Sequence, residues 1–181
     1  MNQSDLADIV ATQIISTIET EEASLKQIGK SIFSMPELVL SYLVGKSLVY
    51  KLNQQVEFDS VTWEQERSLG ASGPCDLVLL KGTTPICVVE FKMRNTDDGY
   101  MSDVTKLALL PSGTLKIFCA LFDAFTSVGE KDGRILRLED RMQQAKLVVN
   151  RIGKWNNFTT KHGLSPRACV VAVWEINMPK L

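Results

Sequence analysis

The sequence predicts an α/β fold, a mixed central sheet flanked by helices. Short, strongly apolar runs recur in the middle and at the end of the chain (CDLVLL, ICVVEF, KIFCALF, ACVVAVWEI), each the length of a strand buried on both faces. Helical apolar spacing occupies the stretches before, between and after them. The 181 residues are 45% apolar and 23% charged, ordinary globular usage in a chain long enough for one core and short for two. No repeat or low-complexity linker divides them, so residues 1–181 read as a single domain.

Taken in order, residues 3–20 space Leu6, Val10, Ile14 and Ile18 at intervals of four, with Ile9 and Ile15 beside them, and predict an amphipathic helix. ETEEAS interrupts it, and a second helical stretch is expected through Leu25, Ile28 and Ile32. Ser34-Met-Pro-Glu37 has capping-box spacing with Pro36 in the first turn, where a missing N–H costs nothing. The helix it opens, over 34–52, is apolar almost all round and is expected to be buried on more than one side.

VEFDSVTWEQERSL is rich in β-formers and predicts one or two strands, near 61–69; GASGP is a turn. Strands at 75–80 and 86–93, joined by KGTTP, form a hairpin. A short helix over 102–110 starts at Ser102 or Asp103, and a buried strand follows at 115–122. A long amphipathic helix over 135–152 and the strand ACVVAVWEI close the chain.

MNQSDLADIV has no basic n-region, and the most apolar stretch, 38–45, falls far short of the roughly 18 residues a membrane span needs. No membrane partner is expected, and the chain reads as cytoplasmic. Cys75, Cys87, Cys119 and Cys169 lie far apart and the only histidine is His162, a pattern unsuited to zinc and typical of buried free thiols. The net charge of −1 excludes a uniformly basic binder, yet residues 130–181 hold ten Lys or Arg against five Asp or Glu. That end is the natural side for a polyanion.

The segment that carries chemistry is Gly73-Pro-Cys-Asp76-Leu-Val-Leu-Leu with Val88-Val-Glu90-Phe91-Lys92. Glu90 and Lys92, two apart on a strand, project from one face while Phe91 points the other way. With the hairpin loop centred on Thr83, Leu80 faces Ile86, Val78 faces Val88 and Asp76 faces Glu90. Carboxylates opposed at about 4.5–5.5 Å either share a proton or clasp a cation. A loop of even length would place them on opposite faces. Hard oxygen ligands suit Mg²⁺ or Mn²⁺, and an adjacent lysine suits phosphodiester chemistry by orienting or deprotonating water or by neutralising the phosphate.

Asp76 followed after thirteen residues by Glu90-Phe91-Lys92 resembles the PD-(D/E)XK nuclease superfamily, the restriction-endonuclease-like fold, although the proline (Pro74) stands one residue further from the aspartate than that name implies. The resemblance covers about 34–125 and implies an αβββαβ core, with the C-terminal helix and strand over 134–176 added to it. It implies a metal-dependent nuclease in which Asp76, Glu90 and the Phe91 carbonyl hold the metal and Lys92 handles the water. Glu37 matches an acid that members often carry on the first core helix, and Glu66 one that some place on the strand before the aspartate. The expected substrate is nucleic acid, DNA before RNA, and a homodimer is one way to cut both strands. The Gln-x-x-x-Tyr signature of some relatives is absent, because Val148 stands four residues after Gln144.

On the 134–152 helix, Leu138, Met142, Ala145 and Val149 should meet the sheet. Arg137, Arg141, Gln144 and Arg151 flank that face as a ridge able to follow a phosphate backbone. Arg94, in the polar loop after Lys92, would meet an entering strand, and that loop is expected to be mobile. The alternative function is a catalytically inactive module of the same fold that binds nucleic acid or a protein partner.

Overall fold

The computed structural model describes residues 3–70, 73–124, 132–152, 156–162 and 165–178, the stretch 156–168 by its backbone alone. Four α-helices and nine strands follow in the order α1 (Gln3–Gln27), α2 (Glu37–Leu52), β1 (Val61–Glu64), β2 (Arg67–Ser68), β3 (Pro74–Cys75), β4 (Leu77–Lys81), β5 (Thr84–Met93), α3 (Asp97–Ala108), β6 (Leu115–Ala124), α4 (Gly133–Gln144), β7 (Val148–Arg151), β8 (Asn156–His162) and β9 (Ser165–Asn177). The fold is α/β, and its sheet is mixed.

The main sheet runs β1-β4-β5-β6-β9-β7, with β8 also paired to β9. Among the described residues only β5 and β6 are parallel, joined through α3; the other ladders of this sheet are antiparallel. Period-two alternation sends alternate side chains into two cores. Leu77, Leu79, Cys87, Val89, Phe91, Ile117 and Cys119 pack with α1 and α2. Val78, Leu80, Val88, Phe118, Ala120 and Trp174 pack with α3 and α4. Strands buried on both faces explain why these runs are continuously apolar. All four cysteines are free and buried among them.

Several elements depart from the sequence expectation. α1 runs unbroken through ETEEAS to Gln27. Glu22 explains why: its Oε2 accepts the Ile32 N–H at 2.6 Å, so a charge within the interruption faces inward to satisfy the backbone of the next turn. α2 buries one face, Leu40, Val44, Leu48 and Leu52 at intervals of four, rather than several. Leu38, Val39, Tyr42 and Tyr50 are exposed, off that buried face.

Of the one or two strands expected near 61–69 there are two, β1 and β2, separated by a break at Glu66 (φ 51). α3 begins at Asp97, not at Ser102 or Asp103, because the Thr96 side chain caps it by accepting the Gly99 N–H at 3.2 Å. The loop expected to be mobile is therefore, from residue 97 on, the first turn of a helix. The long 135–152 helix stops at Gln144, and 148–151 instead pairs with β9. Leu138 and Met142 meet the sheet as expected, whereas Ala145 is exposed beyond the helix end and Val149 packs from a strand. Trp174 is fully buried and Trp63 packs on the α1–α2 core, while Trp155 lies outside the described residues.

Candidate functional site

The β4–β5 hairpin sets the geometry. Lys81 pairs with Thr84, leaving the two-residue loop Gly82-Thr83 with Gly82 at φ +62, a left-handed conformation that favours glycine. That is the even loop that would have separated the acids. A β-bulge cancels it: Leu80 pairs with Pro85 but Leu79 with Cys87, so Ile86 is the extra residue, and Leu80 does not face it. Below the bulge Val78 pairs with Val88 and Leu77 with Val89, the last pair of the ladder, and Asp76 just beyond it lies near enough to Glu90 for its charge to raise that carboxyl.

β4 begins at Leu77, opposite Val89, whereas β5 continues four residues further to Met93. The exposed edge of β5 therefore has N–H groups without a strand partner, and carboxylates take them. Asp76 Oδ2 accepts the Phe91 N–H at 2.7 Å, and Glu37 Oε1 accepts the Met93 N–H at 2.7 Å. The expected capping box does not form: Pro36 is the N-cap of α2 and no side chain caps it, so Glu37 reaches over β5 instead. Phe91 turns its ring into the α1–α2 core, as alternation requires.

Glu90 and Lys92 face α3, where two side chains meet them. Lys92 Nζ lies 3.0 Å from Asp103 Oδ2 and 3.5 Å from Glu37 Oε2. Glu90 Oε2 lies 2.7 Å from Lys106 Nζ, which also donates to the Pro74 carbonyl at 2.8 Å. Glu90 is 1% exposed, and its Oε1 is buried with no hydrogen-bond partner. Four carboxylates therefore surround two ammonium groups, which leaves two negative charges unmatched when all are ionised.

The electrostatics follow from that excess. Burial first, then the charge of Asp76, push the Glu90 carboxyl up to about 8 even against Lys106. Burial raises Asp76 too, opposed by the Phe91 hydrogen bond. Burial pulls Lys92 down, but Asp103 and Glu37 outweigh it and hold the ammonium above its ordinary range. Cys75 is pushed up to about 12, by burial first and then by the charge of Glu90.

Asp76, Glu90, Lys92 and Glu37 are thus brought together, with Phe91 supplying backbone. Glu66 is an exposed turn residue rather than a strand acid and belongs to none of these contacts. Nor does the structure gather a basic ridge. Arg137 lies 3.1 Å from Asp97 and Arg141 2.7 Å from Asp98, so these arginines fasten α4 to the first turn of α3. Gln144 is exposed at the end of α4, and Arg151 stands on β7, 3.6 Å from Glu139. Arg94 donates to the Phe33 carbonyl at 2.8 Å and lies over the Phe33 ring.

Asp103 and Lys106 are missing from the sequence expectation because Asp103 reads locally as a helix cap. The signal is nonetheless present: Tyr100, Val104 and Leu107 are buried at helical spacing, which puts Asp103 and Lys106 one turn apart beside that face.

The donors fit a hard divalent cation: two adjacent carboxylates, one with a buried, unbonded oxygen, in a net negative setting. Among the described residues no group of three or more His, Cys, Asp or Glu is gathered for a metal. Two carboxylates with the remaining positions open suit Mg²⁺ more than a closed cage does. No described helix is long and apolar enough to cross a membrane. No family model, curated protein or solved structure matches the chain.

Proposed function

We propose that the chain is a Mg²⁺- or Mn²⁺-dependent phosphodiesterase acting on nucleic acid, built on a restriction-endonuclease-like core. The observation that carries this reading is the gathering of Asp76, Glu90 and Lys92 at one end of the hairpin, where one Glu90 oxygen is buried without a partner. With the separate β2–β3 pair set aside, the order α2-β1-β4-β5-α3-β6 supports it, being the αβββαβ succession that the resemblance implies.

Asp76 and Glu90 would hold the cation, with the Phe91 carbonyl as a further oxygen; bound there, it supplies Lewis-acid stabilisation of charge developing on a phosphate. Lys92 acts as a cation rather than as a base, because Asp103 and Glu37 keep it protonated. Its N–H groups donate to a phosphate oxygen or orient the attacking water. Glu37 positions that ammonium while its other oxygen fixes the Met93 N–H.

A second reading is favoured by the same ion pairs. Lys92 with Asp103 and Lys106 with Glu90 already hold each other as partners in a structural network do, which a catalytically inactive module binding nucleic acid or a protein would retain. The deciding experiment is cleavage of supercoiled, linear and single-stranded DNA and of RNA, with Mg²⁺, Mn²⁺ or EDTA, by wild type and Lys92→Ala purified identically. Metal-dependent cleavage that disappears in Lys92→Ala is expected. Activity that survives the substitution refutes the assigned site, and absence of both cleavage and metal binding favours the inactive module.

A further inference from the structure

Lys106 stands where the proposed activity needs a divalent cation. It reaches from α3 across the face of β5, with Nζ 2.7 Å from Glu90 Oε2 and donating to the Pro74 carbonyl at 2.8 Å. The two side chains are 15% and 2% exposed, so water and salt screen their attraction weakly. Glu90 thus gives one oxygen to an ammonium and keeps the other buried and unbonded. One turn earlier on α3, Asp103 holds Lys92 at 3.0 Å. The helix therefore places a partner of opposite sign beside Lys92, and beside Glu90 once Glu90 is ionised.

A divalent cation on Oε1 and an ammonium on Oε2 of one buried carboxylate repel each other and share its charge. The lysine is the group able to leave, because its charge is carried on a flexible four-carbon stem. We propose that Lys106 is the resident partner of Glu90 and opposes the divalent cation there, so that cation binding at Asp76 and Glu90 is weak while the ammonium stays on Oε2 and tightens when it swings off. This rests on the metal-dependent reading above and adds to it an internal control on cation affinity.

The test is Mn²⁺ binding to the full chain, followed by electron paramagnetic resonance and by calorimetry, in wild type, Lys106→Met and Glu90→Gln. Lys106→Met is expected to bind Mn²⁺ about tenfold or more tightly than wild type, as follows from removing a competing charge-assisted hydrogen bond, and Glu90→Gln to lose binding. Equal or weaker binding by a folded Lys106→Met, with Glu90→Gln still defective, overturns the competition and leaves the metal site standing. Binding by neither wild type nor Lys106→Met overturns both. A wild-type measurement covers a variant that fails to fold: the ¹⁵N signal of the Lys106 ammonium should move as Mg²⁺ saturates the site. A signal unchanged at saturation overturns the proposal.

Discussion

Glu90→Gln tests the electrostatics of the site without altering its shape. The carboxyl rises from an ordinary 4.5 to about 8 in the folded protein, through burial and the charge of Asp76. Below pH 4.5 it is protonated in both folded and unfolded states and contributes no pH dependence. Between 4.5 and 8 the folded state keeps a proton that the unfolded state has released, so folding stability falls as pH rises. Above 8 both states are ionised and the whole penalty is present. Every tenfold difference in proton affinity between the two states is worth about 1.4 kcal/mol, so the penalty is at most roughly 5 kcal/mol. An amide keeps the shape, does not ionise, and still accepts from Lys106.

Urea unfolding of wild type and Glu90→Gln from pH 5 to 9, in EDTA, measures the difference. The variant is expected to gain on wild type steadily through that window, by several kcal/mol at pH 9. Added Mg²⁺ should narrow the gap by stabilising only the wild type. Parallel stability curves for the two proteins across the whole range would refute the argument, since they would mean that Glu90 ionises as readily in the fold as outside it.

Other positions give independent checks. In Gly45→Ala the new methyl would lie 2.7 Å from Trp63 Cε3 and 2.8 Å from Leu77 Cδ1; a loss of about 1–3 kcal/mol by urea unfolding is expected from overpacking, and an unchanged midpoint would show that α2 does not pack that closely. Arg134→Ala removes contacts to Asp132 and to both the carboxylate and the carbonyl of Asp123. It should cost about 1–3 kcal/mol in the same assay, with no loss if α4 is held by its apolar face alone. The native protein should leave all four thiols unreactive to a disulfide reagent at pH 8, because burial holds each above its ordinary range, and the denatured chain should titrate four. A rapidly reacting native thiol would contradict the packing around it.

Much of the architecture was legible in the residues. Continuously apolar runs identified β4, β5, β6 and β9 because strands covered on both faces need no polar alternation. Spacing on β5 put Glu90 and Lys92 on one face and Phe91 on the other, a consequence of backbone pleating that no tertiary contact alters. Local patterns misled where distant groups supplied the partner. Ser34 and Glu37 have capping-box spacing, yet Glu37 binds the Met93 N–H, 56 residues away, which only the fold brings near. Residues 148–151 continue a helical pattern, yet the open edge of β9 offers them a ladder instead.

The hairpin marks the boundary between the two kinds of information. Residue types determined that Asp76 and Glu90 would end adjoining apolar strands, but whether they meet depends on one extra residue in the ladder. The Gly82-Thr83 loop alone would set them out of phase; the bulge at Ile86 restores the phase, and its position is a property of paired strands rather than of either sequence. The counter-charges of the site were likewise decided in three dimensions. Asp103 and Lys106 reach Lys92 and Glu90 because α3 packs across β5, a placement produced by burial of Tyr100, Val104 and Leu107 and written in no local motif.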